Sequence, residues 1–170
     1  MDEVSFDTLN ALDTEAFVDH LSPILQGERW LPERIADRRP FSSVRMLHKA
    51  LFQEVMDAGD RKRCDLISAH DSVLPMEGEA PEIDAEEEGA EPIPSRLWEE
   101  LASAYRSQFG FDFVLADPPT DEEKLRRLLM ERMANSEKDE RRAALREISE
   151  ITLERLEDAF RVDEKTDDEG

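Results

Sequence analysis

Residues 7–25 read DTLNALDTEAFVDHLSPIL, and their spacing sets the fold class. Leu9, Leu12, Phe17, Leu21 and Leu25 recur near the helical period, which turns one apolar face of a helix toward a core. Asp13 or Thr14 offers a side-chain oxygen to cap a helix beginning near Glu15.

The same period runs outward along the chain. Pro32 suits the first turn of a short helix, and Pro40 in ADRRPF ends it by disfavouring helix at Arg39. Ser42 or Ser43 caps a helix running to about Ala58, with Val44, Leu47, Leu51 and Val55 on one face and Gly59 as its stop. A further helix over 60–69 ends near His70. Residues 71–94 break the pattern with four prolines, two glycines and nine acidic residues, and read as a long loop or partly disordered insert. Helix resumes at Ser95 to about Gln108, and FGFDFVLADPP then reads as a short extended stretch. Thr120 with Glu123 forms a capping box for a helix to about Ala134, and the last helix covers about 137–160. The expected fold is all-α, a single helical bundle of about seven or eight helices.

Composition narrows the function classes. The 170 residues carry 43 acidic and 22 basic side chains, a net charge of -21, which repels nucleic acid and anionic membrane surfaces. An acid excess of this size is also what a protein of a salt-rich cytoplasm would carry, an expectation that equal stability with and without molar salt would undermine. No apolar run approaches the roughly 20 residues that a membrane span takes, and MDEVSFDTLN lacks the apolar core of a secretory signal. The one cysteine, Cys64 in RKRCDLI, excludes an intrachain disulfide and fits a reducing cytoplasm. Its basic neighbours would favour a thiolate, but a buried structural thiol is the simpler expectation.

No Gly-rich phosphate loop, metal-binding Cys/His cluster or nucleophile elbow is present. His20 and His48 sit within helical stretches as surface or boundary residues, whereas His70 stands at a helix end facing a loop, where functional residues collect. In the last helix Ile148, Ile151, Thr152, Arg155 and Ala159 share a face, placing a guanidinium on the side expected to pack inward. Such an arginine needs an anionic partner, either a carboxylate of this chain or an anionic substrate held by a forked contact. In FGFDFVLAD the side chains of Phe109, Phe111 and Phe113 can plug the core while the main chain offers N–H and C=O groups to a polar heterocycle.

The order of motifs resembles the 2-oxo-4-hydroxy-4-carboxy-5-ureidoimidazoline (OHCU) decarboxylase family. The matching pieces are LNALDTEAF, GERW, RRPFSSVRMLHKAL, LISAH, LASAYRSQFGFDFVLA and ERMANSEKDERRAALREISEITLERL, spanning most of residues 8–158. The resemblance implies an all-α homodimer and a cofactor-independent carboxy-lyase that converts a small anionic ureidoimidazoline to (S)-allantoin in uric acid degradation. It implies catalysis by His70, substrate binding by Arg155, and main-chain binding by Phe113, Val114, Leu115 and Ala116. One decarboxylase-like domain would cover 1–162, with 71–94 as its insert and 163–170 as a charged tail.

Two places depart from the family pattern. Asp71 stands where the family has proline, and would favour imidazolium at His70. The family's S-x-x-E-Q motif is not matched, and its place is taken by the acidic insert 77–91. Glu86, Glu87, Glu88 or Glu91 would then supply the family's carboxylate. The competing readings are a non-catalytic binding or scaffold module with a degenerate site, and a lyase acting on another small carboxylate.

Overall fold

Asp13 caps the first long turn of the chain as its side chain accepts from the Ala16 N–H at 2.8 Å. It separates α1 (Phe6–Ala11) from α2 (Thr14–Leu21), so the opening stretch is two short helices. The computed structural model describes residues 4–70, 72–74 and 95–160. Within them lie six further helices: α3 (Trp30–Ile35), α4 (Val44–Asp57), α5 (Asp60–Ser68), α6 (Ser95–Phe109), α7 (Glu122–Met133) and α8 (Glu137–Ala159). A 3-10 turn, Ala36–Arg38, follows α3, and no strand occurs among the described residues. The all-α class and the helix count agree with the sequence.

Local signals fall close to their expected positions, with two corrections. Ser43 caps α4 by accepting from the Met46 N–H at 3.2 Å. Gly59 is not a left-handed stop: its φ is -68°, α4 ends on extended Ala58, and Gly59 is the N-cap of α5, which starts at Asp60. The cap of α7 is Asp121, which accepts from the Glu123 N–H at 2.9 Å, one residue beyond the expected Thr120. Asp is a stronger cap than Thr, and it wins the position.

The chain divides into two compact units, residues 1–69 with 149–170 and residues 70–148. In the first, α3 packs on α2 and α4, and Leu9, Phe17, Leu21, Leu31, Ile35, Leu47, Leu51 and Val55 are sealed from solvent. Fully burying a side chain of this size contributes about 1.5–3 kcal/mol. The loop before α4 is tied down by Asn10, whose side chain mimics a backbone: it donates to the Phe41 C=O at 3.1 Å and accepts the Phe41 N–H at 2.9 Å. In the second unit, Trp98, Tyr105, Phe109, Phe111 and Phe113 are buried. The Tyr105 ring lies 4.8 Å from Phe109, 5.9 Å from Phe111 and 5.2 Å from Phe113. Each such pair adds about 0.5–1.5 kcal/mol beyond area burial. The three phenylalanines thus plug the core, as one of the two readings of FGFDFVLAD expected.

Candidate functional site

His70 follows α5 by two residues and is 4% exposed. The chain turns there because Ala69 closes α5, its N–H bonded to the Asp65 C=O at 3.0 Å. Three residues past His70, the Val73 N–H donates to the Phe113 C=O at 2.9 Å. The loop carrying the histidine is therefore tied to the non-helical segment 113–116, and the second unit brings together two of the features singled out in the sequence.

That segment is buried on its side-chain face: Phe113, Val114 and Leu115 are 1%, 2% and 6% exposed. Its far end is engaged, since the Ala116 N–H donates to Oε2 of Glu147 on α8 at 3.1 Å. The N–H and C=O groups of Val114 and Leu115 make no hydrogen bond to another described residue.

Glu147 belongs to a network that the sequence reading missed. Arg132 on α7 lies 3.8 Å from Glu147 through Nη1, and its guanidinium stands over the Phe113 ring, 5.5 Å from the centroid. Its Nε donates to both oxygens of Glu140 at 2.8 and 2.9 Å. Glu140 is wholly buried, and also accepts from Tyr105 at 2.6 Å and from Asn135 at 3.0 Å. Burial first, and then the Glu140 carboxylate, push the Tyr105 phenol well above its ordinary value, so it remains a donor. The signals were present in the sequence. Arg132 follows Leu125 and Leu129 at helical spacing, and Glu140 opens the series 140, 144, 148, 152, 156 and 160, all buried.

Arg155 belongs to the first unit, and its expected burial is corrected. It is exposed, because the buried ridge of α8 there runs through Thr152 and Leu156, leaving Arg155 one step to the side. Ala159 is exposed as well, and Ile151 is only half-buried. The guanidinium nevertheless has a built partner. With the Gln26 amide oxygen turned toward it, that oxygen accepts from Nη1 at 2.6 Å and Nη2 at 3.0 Å. Gln26 has φ +57° and Gly27 φ +85°, two consecutive left-handed residues that turn the chain sharply after Leu25. Arg155 makes no ion pair with a carboxylate among the described residues.

Asp71, Glu86, Glu87, Glu88 and Glu91, with most of the insert 71–94 and the tail 163–170, lie outside the described residues. His20 is exposed. His48 is half-buried, its Nε2 lying 2.9 Å from the Ser149 C=O, and burial lowers its pKa against the opposing pull of that carbonyl and Glu157. Cys64 is half-buried rather than buried. No group of three His, Cys, Asp or Glu side chains gathers to hold a metal among the described residues. No described helix is long and apolar enough to cross a membrane.

Known proteins resemble the chain over nearly its whole length. It is 32% identical to the 2-oxo-4-hydroxy-4-carboxy-5-ureidoimidazoline decarboxylase of Haloferax volcanii, covering 94% of this chain and 98% of that one. It is 29% identical to the protein of the same name from Halalkalicoccus jeotgali, over 93% of each. It is 30% identical to the uric acid degradation bifunctional protein PucL of Bacillus subtilis, covering 91% of this chain and 32% of that one. In fold it resembles a solved (S)-allantoin synthase with a TM-score of 0.73 at 19% identity, covering 92% of this chain and about half, 54%, of the other. The sequence model of the OHCU decarboxylase family matches residues 10–157, and the chain belongs to that family.

Proposed function

We infer that the protein decarboxylates 2-oxo-4-hydroxy-4-carboxy-5-ureidoimidazoline to (S)-allantoin in purine degradation. It is a carboxy-lyase. The observation that carries the residue assignment is the Val73–Phe113 hydrogen bond of 2.9 Å, which holds the loop after His70 on the segment 113–116. That bond supports the reading, since it links the chain just after His70 to a run of main-chain dipoles in the same compact unit.

The resemblance to the family implies the division of labour, and the chemistry of each group supports it. The substrate is an anion, and Arg155 holds its negative charge by a forked contact. The main chain of segment 113–116 binds the polar edge of the ring. Its N–H dipoles steady the charge that develops as the carbon–carbon bond to the departing carboxylate breaks. His70 moves the proton, since an imidazole can both give and take one. Delivery of that proton to one face of the ring sets the hand of allantoin. Asp71 and, from the acidic insert, Glu87 or Glu91 are the candidates for the carboxylate that the family pairs with its histidine. We read the protein as a cytoplasmic homodimer that works without a cofactor.

The test supplies freshly generated substrate and follows allantoin formation by circular dichroism against the spontaneous rate. His70→Ala is expected to lower kcat by roughly 10²–10⁴-fold with the helical spectrum unchanged. Full activity in that variant removes His70 as the proton-transfer group. A wild-type protein that is folded yet never exceeds the spontaneous rate overturns the decarboxylase reading.

A further inference from the structure

We propose that Glu147 is a positioning residue for the reaction: by accepting the Ala116 N–H it fixes Val114 and Leu115 as the two residues whose main chain meets the substrate. The proposal rests on the reading that segment 113–116 binds substrate, and it narrows that reading from four residues to two.

The geometry is that of a span held at both ends. At one end the Phe113 C=O accepts from the Val73 N–H at 2.9 Å, and at the other the Ala116 N–H donates to Glu147 at 3.1 Å. Between these points, Val114 and Leu115 bury their side chains but make no main-chain hydrogen bond to another described residue. Buried backbone groups are rarely left without partners, so these amides are the part of the segment reserved for one. Ala116 differs from them in that its donor is already committed.

A carboxylate beside a site for an anion would ordinarily oppose binding. Here Arg132, 12% exposed, stands 3.8 Å away but also pairs with Glu140, so the three side chains together keep one net negative charge, and Glu147 serves through the amide it holds rather than through its charge. The same guanidinium stands over the Phe113 ring at 5.5 Å and is itself fixed by the wholly buried Glu140. Arg132 thus touches the segment at its first residue directly and at its last through Glu147. The network acts by holding the amides in place, where small displacements are costly to electrostatic stabilisation.

The experiment compares Glu147→Gln with Glu147→Ala in the full chain. Gln keeps a carbonyl oxygen for the Ala116 N–H, and Ala removes the acceptor. Glu147→Ala is expected to lower kcat by about tenfold or more with a smaller change in KM, because the amides matter most as charge develops. Glu147→Gln is expected to stay within about threefold of wild type. Amide hydrogen exchange reads the same contact without turnover. The Ala116 N–H should be protected in wild type and Glu147→Gln and lose protection in Glu147→Ala, while thermal unfolding shows the helices intact. Wild-type kinetics in Glu147→Ala, or equal damage in both variants, overturns the proposal. An Ala116 amide that exchanges freely in the wild-type protein also overturns it, even if no variant folds. Absence of wild-type turnover beside a protected Ala116 would fault the substrate reading and leave the pin standing.

Discussion

Arg132 and Arg155 both stand at helical spacing from apolar neighbours, and the structure treats them in opposite ways. Arg132 is 12% exposed and meets two carboxylates, Glu140 and Glu147. Arg155 is exposed and meets the neutral amide of Gln26. The first guanidinium has its charge answered inside the fold and serves to hold α7, α8 and the segment 113–116. The second is oriented by a neutral amide and makes no ion pair with a carboxylate among the described residues. A cation among apolar residues therefore says that it lies at a core boundary; the chemistry of its partner says whether its charge is answered there.

Removing Glu140 should strain this comparison most. Glu140→Ala leaves the Arg132 cation largely buried without its main partner, and strands the Tyr105 and Asn135 donors. A loss of about 3–5 kcal/mol in unfolding free energy is expected by urea titration. A loss below about 1 kcal/mol would mean that Arg132 is not the structural arginine of the pair.

Arg155→Ala should do the reverse. Unfolding free energy should change by no more than about 0.5 kcal/mol, as for other exposed sites. The value of kcat/KM should fall by at least about tenfold, chiefly through KM, since uniform anion binding is lost. Arg155→Lys should recover only part of it, because an ammonium cannot make the fork. Gln26→Ala should cost less than Arg155→Ala, since it frees the guanidinium without removing it. A destabilised Arg155→Ala with intact KM would erase the distinction from Arg132.

The smallest effect concerns His48, a histidine held by the fold rather than offered to substrate. Burial lowers its pKa, so on acidification the unfolded chain takes up the proton first. Its contribution to stability is complete above the unfolded value of about 6.5 and is lost as pH falls through that value toward the lower folded one. His48→Gln should therefore lose less stability than wild type between pH 7.5 and pH 5.5 in matched urea titrations. Parallel pH profiles for the two proteins would show that His48 does not titrate as a buried group.

Much of the fold was legible because its determinants are local. Asp13 and Ser43 cap helices through bonds to residues three positions away, and a periodic apolar face needs only neighbours on the same helix. Where such signals erred they erred by a residue, as when Asp121 took the cap from Thr120. The candidate site was legible in part for the same reason: a histidine at a helix end and an aromatic run after a glycine are visible in the chain. Glu147 was not, since the residue it holds is 31 positions away and nothing in ALREI marks it as the partner of an amide. The exposure of Arg155 was not legible either, because the ridge of α8 that packs inward depends on what lies against it.

The sequence by itself determined the helical class, the approximate limits of the helices and, through the order of its motifs, the family. Those follow from short-range periodicity and capping and from residue types kept in order. Only the tertiary structure decided which arginine meets carboxylates, and which amides of segment 113–116 are pinned and which have no partner among the described residues. Burial and hydrogen bonding are satisfied by groups far apart in the chain, and their identity exists only once the chain has folded.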